Sequence, residues 1–168
     1  MTTIAYDGKT LASDSRSTLS GPTIYEEDCQ KLFTDVGPFV VLGIAGDFQD
    51  AVDAISLIEG YTQVDQIRNI DSDSIGDVAL LGITKEGMLW SYAGDMSFQL
   101  REDKPFSTGS GSSYALAAMD LGLTAEEAVV YASTRDPFTN SIVQVAHLFP
   151  EGKTKKVKKP KKLKEEIK

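Results

Sequence analysis

The run Phe39-Val40-Val41-Leu42-Gly43-Ile44-Ala45 constrains the fold more than any other segment. Seven residues in succession without a polar side chain read as a strand covered on both faces, so a layer must pack on each side of it. Asp35-Val36-Gly37-Pro38 turns the chain into this run, and Gly46-Asp47 closes it. Beyond Asp47 the period changes to helical. Phe48, Ala51, Val52, Ile55 and Ile58 fall on one helix face, and Asp47 is a candidate N-cap.

The remaining segments supply the layers. Thr2 to Tyr6, the turn Asp7-Gly8 and Thr10 to Ser13 predict a hairpin. Gly21-Pro22 punctuates, a third strand includes Ile24-Tyr25, and Lys31-Leu32-Phe33 leads into the buried run. Residues 62–77 are polar and read as mostly loop, and Val78 to Thr84 with Met88 to Ala93 reads as a second hairpin. A helix opens after Gly109-Ser110-Gly111-Ser112 and stops at Gly122. The capping box Thr124 to Glu127 starts another, and Ser141 to Phe149 gives a last strand. Sheets with helices packed outside them make an α+β layered domain.

At 168 residues there is room for one domain, and 41% apolar with 25% charged residues supports a packed core. The boundaries expected are a folded domain over 1–150 and a disordered, solvated lysine-rich tail over 151–168. The net charge of −8 is uneven: the tail carries +6, and the first 150 residues carry −14. A body this acidic repels nucleic acid, whose binding rests on neutralising phosphates. No apolar stretch reaches the length of a membrane span, and the first residues do not read as a signal peptide. One cysteine, Cys29, permits no internal disulfide, so a reducing cytoplasm is the expected compartment.

Chemistry is narrowed by what is scarce. With one cysteine and one histidine, no metal site and no cofactor are expected. No phosphate-binding loop or dinucleotide fingerprint occurs. His147 lies inside an apolar run and reads as a core or edge residue. Cys29 follows Glu26-Glu27-Asp28, whose charges raise a thiol's pKa, so it reads as small pocket filler. One nucleophile needs neither residue. A threonine at a mature N-terminus carries its own base in the α-amine, and Thr2 qualifies once Met1 is removed. Such a site also needs a cation, a carboxylate to hold it, and N–H groups for the oxyanion.

Thr2-Thr3-Ile4-Ala5 with Leu11-Ala12-Ser13-Asp14-Ser15-Arg16-Ser17-Thr18 resembles the start of mature proteasome β subunits and of the bacterial HslV peptidase. The resemblance runs on through Lys31-Leu32-Phe33, Gly43 to Asp47, Gly109 to Ser112 and Arg135-Asp136-Pro137-Phe138-Thr139-Asn140. It implies an N-terminal nucleophile (Ntn) hydrolase with a four-layer αββα sandwich, acting as a threonine endopeptidase on polypeptides. Thr2 then matches the nucleophile, Lys31 the cation that tunes it, and Asp14 the carboxylate paired with Lys31. Gly46 matches the oxyanion N–H, with glycine allowing the substrate backbone close. Ser110, Asp136 and Thr139 match the group around the α-amine. By the same match the substrate pocket draws on Ser17, Thr18, Cys29, Phe33, Ile44, Phe48 and Val52, and Arg16 reads as structural.

Simpler readings stand beside these. Asp14 and Lys31 can be an exposed ion pair, Ser110 a helix cap, and Asp136 before Pro137 a turn residue. Only 31 residues separate Gly46 from the strand at Val78, where the resemblance implies two substantial helices, so the second is expected short or absent. That region helps build ring contacts and the unfoldase-facing surface in such proteins. A homo-oligomeric ring is expected, and an ATP-dependent unfoldase is a candidate partner. Compact proteins of this kind resemble bacterial and phage-encoded ones, which places the chain in a bacterial or host cytoplasm. Two alternatives remain open: an Ntn amidohydrolase acting on a small amide, and a non-catalytic ring-forming structural protein.

Overall fold

The computed structural model describes residues 1–68, 70–94 and 97–148. The lysine-rich tail and its boundary lie outside the described residues. Two sheets stack between two helical layers. The first sheet has the order β10-β1-β2-β11, where β1 is Thr3–Tyr6, β2 Thr10–Asp14, β10 Phe106–Gly109 and β11 Val143–His147. The second has the order β5-β6-β7-β8-β9, formed by Leu32–Val36, Phe39–Gly46, Val78–Thr84, Leu89–Ala93 and Gln99–Arg101. Each pairing in both sheets is antiparallel.

Three cores account for the four layers. Along β1, Ile4 and Tyr6 point between the sheets to meet Leu32, Val41, Ala45 and Leu81. Ala5 points the other way, onto α3 (Ser112–Asp120) and α4 (Ala125–Ser133), which cover the first sheet through Ala115, Ala118, Ala128 and Ala132. These small side chains let the helices approach the sheet closely. The apolar run in β6 divides the same way, as a period of two requires. Leu42 and Ile44 pack under α1 (Phe48–Glu59) against Ala54 and Ile58, while Val41 and Ala45 face the first sheet. The αββα sandwich expected from the sequence is therefore the fold observed.

Local signals act as their chemistry dictates. The Asp47 carboxylate caps α1 by accepting from the N–H groups of Gln49 and Asp50, and Thr124 with Glu127 closes a capping box at α4. At the first turn, the Asp7 carboxylate accepts from the N–H groups of Lys9 and Thr10 and also from that of Ala125, which ties the hairpin to α4. The second helix of the middle segment is reduced to α2, Val64–Ile67, followed by a 3-10 turn at Ser72–Ser74. Instead of one third strand, Ser17–Leu19 (β3) and Thr23–Glu26 (β4) form a separate hairpin, turning where Ser20 and Gly21 both have positive φ. His147 is an exposed residue at the end of edge strand β11, 3.3 Å from the Thr10 hydroxyl. Among the described residues no helix is long and apolar enough to cross a membrane.

Candidate active site

Thr2 leads into β1 at the open end of the sandwich and is almost wholly enclosed, 3% exposed. Its carbonyl accepts from the Ser110 N–H at 2.8 Å, so the turn before α3 fixes its backbone. The Lys31 ammonium donates to the Met1 carbonyl at 3.3 Å, to the Arg16 carbonyl, and to Asp14 Oδ1 at 3.1 Å. Asp14 is fully buried and Lys31 is 6% exposed. An exposed ion pair is thus excluded. The other acceptor sites of Asp14 are filled by backbone: Oδ1 also accepts from the Thr3 N–H, and Oδ2 from those of Arg16 and Asn140. A carboxylate so surrounded holds the lysine in one place.

A second chain of polar groups flanks Thr2. Ser110 Oγ and Thr139 Oγ1 each donate to Asp136 Oδ2 at 2.6 Å. Because the Thr139 proton is committed to that carboxylate, the 2.6 Å contact between Thr139 and Thr3 has Thr3 as its donor. Thr139 therefore braces Thr3, and Ser110 is the member whose hydroxyl also lies 3.4 Å from the Thr2 carbonyl. Gly111 makes this close packing feasible, since a Cβ there would sit 2.2 Å from Thr3 Oγ1. The glycine at 46 has a further reason, set by the fold itself. With φ +132°, a Cβ on it would fall 2.4 Å from the Asp77 carbonyl, so the pairing of β6 with β7 demands glycine before any substrate does.

Two cavities meet at Thr2. One, of about 480 Å³, is lined by Ser17, Thr18, Cys29, Phe33, Ile44, Phe48 and Val52, the whole set matched to a substrate pocket, and by Ala51 and Ile55. Tyr25 and Glu26 of β4 also line it. The other, of about 560 Å³, has walls of small residues (Ser20, Gly21, Ala79, Ala93 and Gly94) together with Asp77. Thr2, Thr18, Gly46 and Asp47 border both.

This constellation and fold can be set against known proteins. No protein-family model matches the chain. It is 28% identical over 173 residues to the proteasome subunit beta of Methanobrevibacter smithii, an alignment covering 87% of this chain and 84% of that one. It is 34% identical over 84 residues to the proteasome subunit beta type-8 of Rattus norvegicus, covering 44% and 30%. Its fold matches that of HslV from Trypanosoma brucei with a TM-score of 0.66 at 20% identity, over 86% of this chain and 97% of that structure. The chain has the Ntn-hydrolase fold of HslV and is similar in sequence to proteasome β subunits.

Within this Ntn-hydrolase fold, burial and charge tune the titratable groups at the site. The α-amine at the chain start is pushed below its usual 8.0, first by burial and then by the Lys31 ammonium, while Asp14 and Asp136 pull it back. Lys31 is itself pushed below 10.5, because burial outweighs the attraction of Asp14. Cys29 is pushed up by burial and by Glu26, which suits a neutral thiol in the pocket wall. Arg16 is structural here: its guanidinium spans from the Glu27 carboxylate to the Pro137 carbonyl. Two amide side chains stand out to which sequence alone assigns no role: Asn140, at the end of the last matched block, and Gln144, outside every block. Asn140 accepts from the Ser15 N–H and donates to the Glu27 carbonyl, and Gln144 contacts the residues on either side of the Lys31–Asp14 pair.

Proposed function

We propose that this protein is a threonine peptidase that cleaves peptide bonds with Thr2, once removal of Met1 exposes its α-amine, and that it works within a ring-shaped assembly of its own copies. The observation that carries this reading is the buried Lys31–Asp14 pair set beside Thr2 where two cavities meet. The neutral amine accepts the Thr2 hydroxyl proton as Oγ1 attacks the scissile carbonyl, and returns it to the leaving amine. The Lys31 ammonium favours the developing alkoxide. The Gly46 N–H is the candidate oxyanion donor. Ser110, held by Asp136, is placed to relay protons to and from the amine. Water then hydrolyses the ester on Thr2 and restores the site.

Cavities on both sides of the nucleophile favour an extended chain over a small amide, which would need one blind pocket. The relatives named above are proteasome subunits and HslV, and the ring and the polypeptide substrate come to this chain from them. An ATP-dependent unfoldase remains a candidate partner on the same ground, and the cytoplasm the candidate compartment. A panel of tetrapeptide coumarin amides together with native mass spectrometry tests the reading. Peptide cleavage by a ring supports it. Cleavage of small acyl amides alone points to an amidohydrolase, and a ring without turnover to a structural protein.

The same panel reads specificity. The larger apolar side chains of the first cavity (Phe33, Ile44, Ile55 and Val52) reward burial of an apolar substrate side chain by about 1.5–3 kcal/mol. Glu26 at its wall opposes a second carboxylate and offers an arginine a partner. Leu, Tyr and Phe before the scissile bond are expected to be cleaved fastest, then Arg, with Glu slowest, at about 0.15 M salt. A preference for Glu would contradict the assignment of this cavity.

The pH dependence follows from the two lowered pKa values. Removing Met1 places the amine on Thr2, a more buried position beside the same Lys31 ammonium, so the two causes that lower the Met1 amine act there too. Because the base must be neutral, kcat/KM should rise with pH through a midpoint below 8.0. It should fall again as Lys31 loses its proton, below the 10.5 of an ordinary lysine. An acid limb centred above 8.0 would contradict the amine as base.

A further inference from the structure

At the edge of the sandwich, β5 and β11 are the end strands of their sheets. Between them lies Gln144. Val143 and Val145 pack on the helical layer and Ala146 faces the space between the sheets, so alternation sends Gln144 into that space as well. An amide there needs partners, and it has the four that a primary amide can make. Its Oε1 accepts from the Lys31 N–H at 2.9 Å and the Leu32 N–H at 3.0 Å. Its Nε2 donates to Ser15 Oγ at 2.9 Å and to the Cys29 carbonyl at 2.7 Å.

The partners fall on two segments of chain. Ser15 lies between Asp14 and Arg16, which supply the carboxylate and the carbonyl that hold the Lys31 ammonium. Cys29, Lys31 and Leu32 belong to the segment that carries the lysine itself. On its other side the Lys31 carbonyl accepts from the Ile44 N–H at 3.0 Å, so both of its peptide groups are fixed. We propose that Gln144 is the positioning residue of this site: one side-chain amide clamps the two segments together and thereby sets where the Lys31 ammonium stands against Asp14 and Thr2. Its catalytic consequence rests on the peptidase reading above; the positioning itself does not.

The test uses the full chain with Gln144→Leu, which keeps the volume and removes all four bonds, and Gln144→Glu, which keeps oxygens facing the Lys31 and Leu32 N–H groups. Two readouts are needed. The first is a ¹³C titration of the lysine ε-carbons, which reports Lys31 whether or not the protein turns over peptide. The groups facing Lys31 are Asp14, Arg16, Cys29 and the chain-start amine. In Gln144→Leu the segment loosens, burial of the ammonium relaxes, and Lys31 should titrate closer to an ordinary lysine. The second is steady-state kinetics. Displacement of a tuned group by about 1 Å predicts a loss of about 100-fold in kcat with KM little changed, and an alkaline limb that moves up with Lys31. Gln144→Glu keeps only the bonds to the lysine's own segment and should show most of the same loss. If Gln144→Leu does not fold, Gln144→Asn, too short to span both segments, should show the same loss and the same movement. An unmoved Lys31 titration or an unchanged kcat in a folded variant overturns the proposal. A moved titration in a protein whose parent cleaves no peptide keeps the positioning and removes the peptidase reading.

Discussion

A Thr2→Ala chain is expected to fold as the parent does and to hydrolyse no peptide. The Thr2 backbone is held by the Ser110 N–H, an interaction the substitution leaves in place, and the hydroxyl lost is one small group at the mouth of a cavity. What disappears is the attacking atom. Loss of the nucleophile from a unit that works through a base and an oxyanion donor lowers kcat by about 10⁶-fold. Thr2→Ser keeps an attacking oxygen and should retain most of the rate. The check is a thermal melt beside a single-turnover assay. A Thr2→Ala protein within about tenfold of parent turnover would mean that some other group performs the chemistry.

Lys31→Ala should fail in two separable ways. Electrostatically, it removes the cation that lowers the amine pKa and favours the alkoxide, and losses of this type reach about 10²–10³ in kcat. Structurally, it strands a carboxylate that is fully buried. Removing one partner of such a pair costs about 3–5 kcal/mol, although the N–H groups of Thr3, Arg16 and Asn140 still bond to Asp14. The expected result is a lower denaturation midpoint together with a kcat deficit that persists under conditions where the variant is fully folded. Near-parent turnover in folded Lys31→Ala would show that the pair serves the fold alone.

The apolar run at 39–45, the Asp7-Gly8 turn and the capping box at Thr124 are short-range signals, and each local structure forms where those signals stand. The layered fold was legible for that reason. Less legible were β3, β9 and β10, strands of three or four residues too short to show an alternation. Within the site, the residues that fall in motif-like blocks come together around Thr2. The requirement for glycine at 46 was not legible, because the clash that demands it is with Asp77, 31 residues away and just ahead of another strand. The same holds for Gln144. Nothing in Ile142-Val143-Gln144-Val145 distinguishes a surface glutamine from one whose amide binds both segments that carry the ion pair. Residues that act through others leave no local pattern. They are found by following the bonds outward from the pair.

The account depends on a free α-amine at Thr2, and the most direct measurement is the N-terminal residue of the protein that turns over. Purified protein is labelled through its active nucleophile with a peptide electrophile, and the labelled fraction is read by N-terminal mass spectrometry. Thr2 should be the first residue of every labelled chain, with the label on that threonine. Chains that keep Met1 have an amide in place of the base, and should be unlabelled and inactive. Full turnover by chains that still begin with Met1 would contradict the mechanism.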